Sequence, residues 1–242
     1  MMRWRGVCAR GLGLITALAV LAAASAAQAR PKGGGVATYL SFGGARADIG
    51  SLNERLKANG YRTFSRDYLG LGGGGFVLIG RVLVGGEGQS LFAQHATTGP
   101  RRAELDGGYG FFNVGYNVLA RSSIILYPVV GIGGGGMTLE ITEDGSVPFN
   151  DILADPKREA RLTTSSLAFQ VAFGGQYHVP VLGARGERGT AGTMLGLQGG
   201  YVFFTSQHWK AKGLHVTGSP DAGLSGPYVR VTVGLGGWSA QR

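Results

Sequence analysis

Gly131-Ile132-Gly133-Gly134-Gly135-Gly136 has the G-x-G-x-x-G spacing of a turn that holds a dinucleotide pyrophosphate. That chemistry requires a helix to begin at the glycines, so that its N-terminus meets the phosphates. The residues that follow, MTLEITEDGSVP at 137–148, instead alternate with a period of two and close in a turn. The hexapeptide is therefore read as glycine inside a strand, where it permits bending and close packing. His95, His178, His208 and His215 lack H-E-x-x-H or comparable ligand spacing, so no metal is expected. The acidic stretch with Glu143, Asp144, Asp151, Asp155 and Glu159 lacks the alternating frame of a calcium loop. Ser206 with His208, or Ser90 with His95, could supply a nucleophile and a base, but no G-x-S-x-G elbow accompanies them. The expectation is a chain with no catalytic residue and no cofactor, and not an enzyme.

The other residues with chemistry to offer sit inside runs of strand periodicity. Glu87 and Gln89 fall on one face if Val82 and Val84 fall on the other; Glu140 shares the parity of Thr138; Gln170 and Arg230 alternate with apolar neighbours. All five are expected to point into an enclosed interior. A Glu–Arg pair bridging that interior is chemically natural, since each charge needs a partner once it leaves water. Interior polar packing is the first reading of these residues, and a selectivity or ligand role is the second.

The elements that must carry them follow from the alternation. In LTTSSLAFQVAFGGQYHVP, Leu167, Phe169, Val171, Phe173, Tyr177 and Val179 occupy one face, and Ala168, Gln170, Ala172, Gln176 and His178 the other. TMLGLQGGYVFFTS repeats the pattern, with Leu195, Leu197, Tyr201 and Phe203 opposite Gly196, Gln198 and Gly200. So does PYVRVTVGLGGW, with Val229, Val231, Val233 and Leu235 opposite Arg230 and Thr232. A soluble sandwich turns a charged face to water. Here the polar face is poor in charge and the apolar face is rich in aromatics, the pattern of a strand between lipid and lumen. In the fifth run the odd positions Tyr127, Val129, Met137, Leu139 and Ile141 are assigned to the lipid face, and Gly134 and Gly136 to the lumen.

Composition and the N-terminus set the class. The chain opens with Arg3, Arg5 and Arg10, continues apolar from about Leu12 to Ala27, and reaches Ala27-Gln28-Ala29, the layout of a secretory signal peptide over residues 1–29. Its one cysteine, Cys8, lies in that segment, so residues 30–242 have no thiol chemistry. The formal charge of +9 falls by three when the segment is removed. The remaining basic residues are scattered without a run of five, which argues against nucleic acid and leaves anionic headgroups or surface polysaccharides as counter-charges. With 46 glycines in 242 residues and no collagen period, and with no further apolar run of about 18 residues, a closed barrel is the one way for residues 30–242 to enter a membrane.

Eight strands are expected at about 35–43, 72–79, 82–94, 105–118, 123–142, 162–179, 192–205 and 227–238. Long connections at about 44–71, 95–104, 143–161 and 206–226 alternate with tight turns at Gly80-Arg81 and about Leu119–Ser122, the asymmetry of long external loops and short periplasmic turns. The first long connection contains a helix signal: Ser51 and Glu54 at capping-box spacing, an apolar face of Ile49, Leu52 and Leu56, and a stop at Asn59-Gly60.

On these features residues 30–242 resemble the small eight-stranded bacterial outer-membrane β-barrels, the broad OmpA-like and OmpW-like group. The resemblance implies an all-β, antiparallel up-and-down transmembrane barrel with a short helix in its first external loop. It implies a place in the outer membrane of a Gram-negative-type envelope, in contact with outer-membrane lipids, envelope chaperones and the barrel-assembly machinery. In that group the last strand commonly ends in an aromatic residue; here Trp238 has four residues after it. A structural or adhesive role through the surface loops is expected, with a narrow channel for small solutes as the alternative and a lipid-modifying enzyme as the third reading. Oligomeric state is left open.

Overall fold

The computed structural model describes residues 34–120, 123–143, 159–182, 189–205, 208–211 and 216–239; the segment 1–29, the acidic stretch 144–158, Ser206 and His215 lie outside the described residues. Eight long strands make the barrel: β1 (Gly34–Arg46), β2 (Asp67–Ile79), β3 (Val82–Thr98), β4 (Arg101–Tyr116), β5 (Ile124–Glu143), β6 (Glu159–Leu182), β7 (Gly189–Phe204) and β8 (Gly226–Ser239). Each pairs antiparallel with the next, and β8 returns to pair with β1, from Gly35 opposite Trp238 to Ala45 opposite Tyr228. The circuit is closed, so no barrel strand presents an unpaired edge. Two-residue strands at Leu119–Ala120 and Lys210–Ala211 add to β5 and β6 at opposite ends.

One helix, α1 (Gly50–Ala58), follows β1. Ile49, Leu52 and Leu56 are buried as the apolar spacing required, together with Phe64, Trp209, Ala222 and Leu224 from the surrounding loops. The helix stops as expected. Gly60 takes a left-handed φ of 79°, Gly60 N–H bonds Lys57 O and Tyr61 N–H bonds Leu56 O, the paired bonds that satisfy the last carbonyls of a helix. The capping box does not form. Ser51 lies inside the helix, and its hydroxyl donates to Asp221 O instead. The tertiary contact outcompetes the local cap because Asp48 N–H to Ser225 O and Gly223 N–H to Asp48 O already fix this loop beside α1.

The strands run farther than their apolar residues suggest. β3 and β4 meet across Gly99-Pro100, where Gly99 has φ 57°, so the expected long connection at 95–104 is a hairpin. β2 begins at Asp67 rather than near 72. Polar residues mark the end of the apolar belt, but the hydrogen-bonded ladder needs no apolar side chain to continue.

Outward positions form that belt: Leu40 and Phe42, Leu69 and Leu71, Phe112, Ile132, Phe169 and Phe173, Leu197, and Val231 are exposed around the circuit. In β6, β7 and β8 the outward residues are those assigned from alternation. In β5 the assignment is reversed. Tyr127, Val129, Met137 and Leu139 are buried in the interior, while Val130 and Ile132 are exposed. This strand is apolar on both parities below the glycines, so alternation alone does not distinguish its faces; its register, with Gly131 opposite both Asn113 and Gln170, does.

The reversal changes what the hexapeptide glycines do. Gly131, Gly133 and Gly135 face inward. A Cβ on Gly131 would run into Asn113 and Gln170, and one on Gly135 would lie 2.6 Å from Tyr109 Cβ. Gly134 and Gly136 face outward, in a bare strip that continues through Gly110, Gly88 and Gly73 on adjacent strands. Gly131→Leu should lower the folded fraction recovered on refolding into detergent micelles, because overpacking costs about 1–3 kcal/mol. Gly86→Leu, whose Cβ would have Phe111 O at 3.4 Å as its nearest neighbour, should leave it unchanged. Mobility of unboiled samples on gels reads both, and equal behaviour of the two variants contradicts the assigned faces.

Candidate functional site

Side chains from six strands meet at mid-height in the lumen. Arg230 of β8 and Glu87 of β3 form its centre, with Arg230 Nη2 2.5 Å from Glu87 Oε1 and the two side chains 3% and 1% exposed. Glu87 Oε1 also accepts from Gln170 Nε2 at 2.6 Å, and Glu87 Oε2 accepts from the Tyr39 hydroxyl at 3.0 Å. Gln170 Nε2 donates to Asn113 Oδ1 at 2.6 Å, and Gln170 Oε1 accepts from Tyr228 at 3.1 Å. The Tyr228 oxygen accepts from Arg230 Nη2 at 3.2 Å and Gln198 Nε2 at 3.3 Å, while its ring lies beneath the guanidinium, 4.5 Å from centroid to Cζ. Gln89 donates to Ser41 beside this centre.

Burying two charges costs several kcal/mol per ion, and only good geometry with further hydrogen bonds offsets it. Three donors on the carboxylate and the Tyr228 ring beneath the guanidinium supply part of that here, while Arg230 Nε and Nη1 are buried without a hydrogen-bond partner among the described residues. The strands between supply room: β2 contributes Gly72 and Gly74 at this level and β5 contributes Gly131, Gly133 and Gly135. A Cβ on Gly74 would fall 2.8 Å from the Tyr39 hydroxyl and 2.9 Å from Glu87 Cβ. The glycines thus leave space for long polar side chains from their neighbours.

Mostly apolar side chains pack on both sides of the network. Toward the tight turns lie Phe76, Leu78, Leu83, Ile125, Val129 and Met194, with buried Asn117, Gln176 and His178 among them; toward α1 lie Leu91, Leu105, Met137 and Leu139, with buried Thr164. The void beside Tyr39, Glu87, Asn113, Tyr127 and Gln198 measures about 10 Å3, close to the space of one water. At this level the cross-section is filled.

Of the five residues singled out from sequence, the structure brings together Glu87, Gln170 and Arg230 and places Gln89 next to them. Glu140 is elsewhere. It shares the outward parity of β5 that the reversal exposed, and lies 3.2 Å from Arg161 Nη1. His95, Glu104, Glu140 and Arg161 form a straight row across β3, β4, β5 and β6 on the outer wall, with His95 Nδ1 3.2 Å from Glu104 Oε2. No hydrogen bond joins Ser90 to His95 among the described residues. Tyr39, Asn113 and Tyr228 were not singled out, although Tyr39 shares the parity of Ser41, Asn113 that of Phe111, and Tyr228 that of Arg230. Parity could have found them, but an aromatic or an amide between apolar residues signals nothing until its partner is known.

No family model matches the chain, and no curated protein matches it. Among solved structures, it is similar to the outer membrane protease OmpT from Escherichia coli, at 9% identity over 87% of this chain and 97% of that one, with a TM-score of 0.35. It is also similar to the translocator domain of the autotransporter NalP from Neisseria meningitidis, at 9% identity over 93% and 94% of the two chains, with a TM-score of 0.31. Likenesses this shallow assign neither a family nor an activity, and membership of the OmpA-like or OmpW-like group does not follow from them. One expectation is corrected by them: a barrel in this comparison is a protease, so the exclusion of enzymatic activity drawn from missing motifs is withdrawn.

The network sets a stability prediction. Arg230→Met should destabilise the barrel by about 3–5 kcal/mol, because Glu87 would keep its burial and lose its counter-charge. Adding Glu87→Leu to that variant should restore most of the loss. Urea midpoints of the folded protein in micelles measure both; a single variant within about 1 kcal/mol of the parent shows that the pair is not held as described.

Proposed function

We propose that this chain is an outer-membrane β-barrel with a sealed interior, which anchors and presents an external cap in a structural or adhesive role. The observation that carries this reading is the combination of an exposed apolar belt around a closed circuit, broken only by the strip of outward glycines, with the buried Glu87–Arg230 network across the lumen. A belt of exposed Leu, Val and Phe on every side is unfavourable in water and favourable in hydrocarbon. Closure satisfies the backbone polar groups that lipid cannot. The signal-like segment 1–29 supports export, and outer-membrane lipids and the envelope's barrel-assembly machinery are the partners this reading requires. The filled cross-section counts against the alternative of a channel for small solutes.

Expression of the full chain, fractionation of the envelope and reconstitution in planar bilayers test the proposal. The expected results are recovery with outer membranes, a heat-modifiable band and no steady conductance steps. Val231→Arg, on the exposed face of β8, should cost about 2–4 kcal/mol in lipid vesicles if it lies near the midplane. A detergent-independent soluble protein overturns the membrane assignment, and steady single-channel steps overturn the sealed lumen.

A further inference from the structure

Resting on the membrane-anchored reading above, we propose that the external cap carries a binding surface for an anionic polysaccharide outside the cell, formed by Arg55, Lys57, Arg62, Arg101 and Arg102. From Arg55 to Arg66 the chain has four cations and no carboxylate, and TTGPRR at 97–102 adds two more cations with none. The fold gathers the five into one surface. Asn59 Nδ2 bonds Arg55 O at 2.8 Å and the glycine stop at Gly60 turns the chain back beneath α1. Arg62 N–H then bonds Thr98 Oγ1 at 3.0 Å, which docks the β3–β4 hairpin tip against this turn. Arg101 Cζ lies 5.6 Å from the centre of the Tyr61 ring.

All five cations are exposed. Arg55, Lys57, Arg62 and Arg102 form no ion pair among the described residues, and the nearby Asp67 carboxylate is within 3.8 Å of Arg46 instead. A surface with this excess of cations over carboxylates raises the local concentration of a polyanion and attracts it over a distance set by ionic strength. Direction decides which polyanion. The apolar face of α1, with Ile49, Leu52 and Leu56, is buried over the barrel mouth, so its charged face points away from the barrel and the bilayer. Lower on the outer wall, next to the apolar belt, the side chains on β4 and β5 include Glu104 directly opposite Glu140, with Asp106 one step below. With Glu140 paired to Arg161 and Glu104 to His95, this wall carries three carboxylates against one arginine and so offers no surplus of cations to phosphate headgroups of the chain's own leaflet. The geometry therefore favours an extended, carboxylated or sulfated glycan approaching from outside.

The full-length barrel, folded in zwitterionic nanodiscs, can be titrated with heparin as the sulfated probe and neutral dextran as control. Heparin binding that weakens steeply between low and high salt, with no dextran binding, is expected. The triple variant Arg55→Glu/Lys57→Glu/Arg62→Glu should weaken it by at least about tenfold, while Arg55→Lys/Arg62→Lys should retain it, because the interaction is electrostatic complementarity rather than a shaped pocket. Heparin binding unchanged in the triple variant overturns the proposal, as does equal binding of dextran, or a triple variant that loses affinity for phosphatidylglycerol-containing nanodiscs and keeps it for heparin. The same samples run unboiled on gels separate two failures: a heat-modifiable barrel that ignores heparin overturns this inference alone, whereas a chain that forms no barrel in lipid overturns the membrane-anchored reading beneath it.

Discussion

The buried Glu87–Arg230 pair is the interaction on which the rest of the barrel depends. Its partners lie 143 residues apart in sequence, on β3 and β8, so it can form only when the circuit closes through β1 and β2. A charge pair in a narrow lumen tolerates few neighbours that cannot hydrogen-bond, and the polar residues around it, Tyr39, Asn113, Gln170, Gln198 and Tyr228, are those that meet that demand. An eight-stranded interior has just enough width for such side chains. Glycine on β2 and β5 makes the width sufficient, since a methyl at Gly131 or Gly74 would occupy space that Gln170 or Tyr39 needs.

From this centre outward the chain solves two different solvation problems. Inside, the Glu87 carboxylate and the amides and hydroxyls around it share hydrogen bonds within one layer, although Arg230 Nε and Nη1 gain no partner there, and mostly apolar side chains pack above and below it. Outside, apolar side chains cover most of the wall, and the ladder then extends past the belt into rows of charge such as His95–Glu104 and Arg161–Glu140. The extension gives α1 and the loop around Trp209 a rim to pack on, with Trp209 Nε1 held by Pro220 O at 3.1 Å. The lumen network is thus covered at this end of the barrel by α1 and the loop around Trp209.

Alternation read from the sequence placed the faces of β6, β7 and β8 because each strand there has one apolar parity and one polar parity. It failed in β5 because Ile125, Tyr127 and Val129 are as apolar as Ile124, Val130 and Ile132, and burial can take either set. Glu140 followed the same error, since its parity was inferred from its strand. Thr97, Thr98, Arg101 and Arg102 look like loop residues in the sequence, yet they form the hairpin at Gly99-Pro100, because polar side chains do not interrupt a ladder. The capping box at Ser51 was a sound local signal, overridden by a hydrogen bond to a loop 170 residues away.

The sequence by itself determined that the chain forms short-period strands with one apolar face, punctuated by glycine and turns, and that Glu87, Gln170 and Arg230 alternate with apolar residues. These are local properties, fixed by the two-residue period of a strand. Only the tertiary structure decided which way β5 faces, which glycines make room for the network and which leave the outer wall bare, and which residue neutralises Arg230. Those choices depend on the register between neighbouring strands and on the stagger that closes the barrel, quantities that no single strand contains.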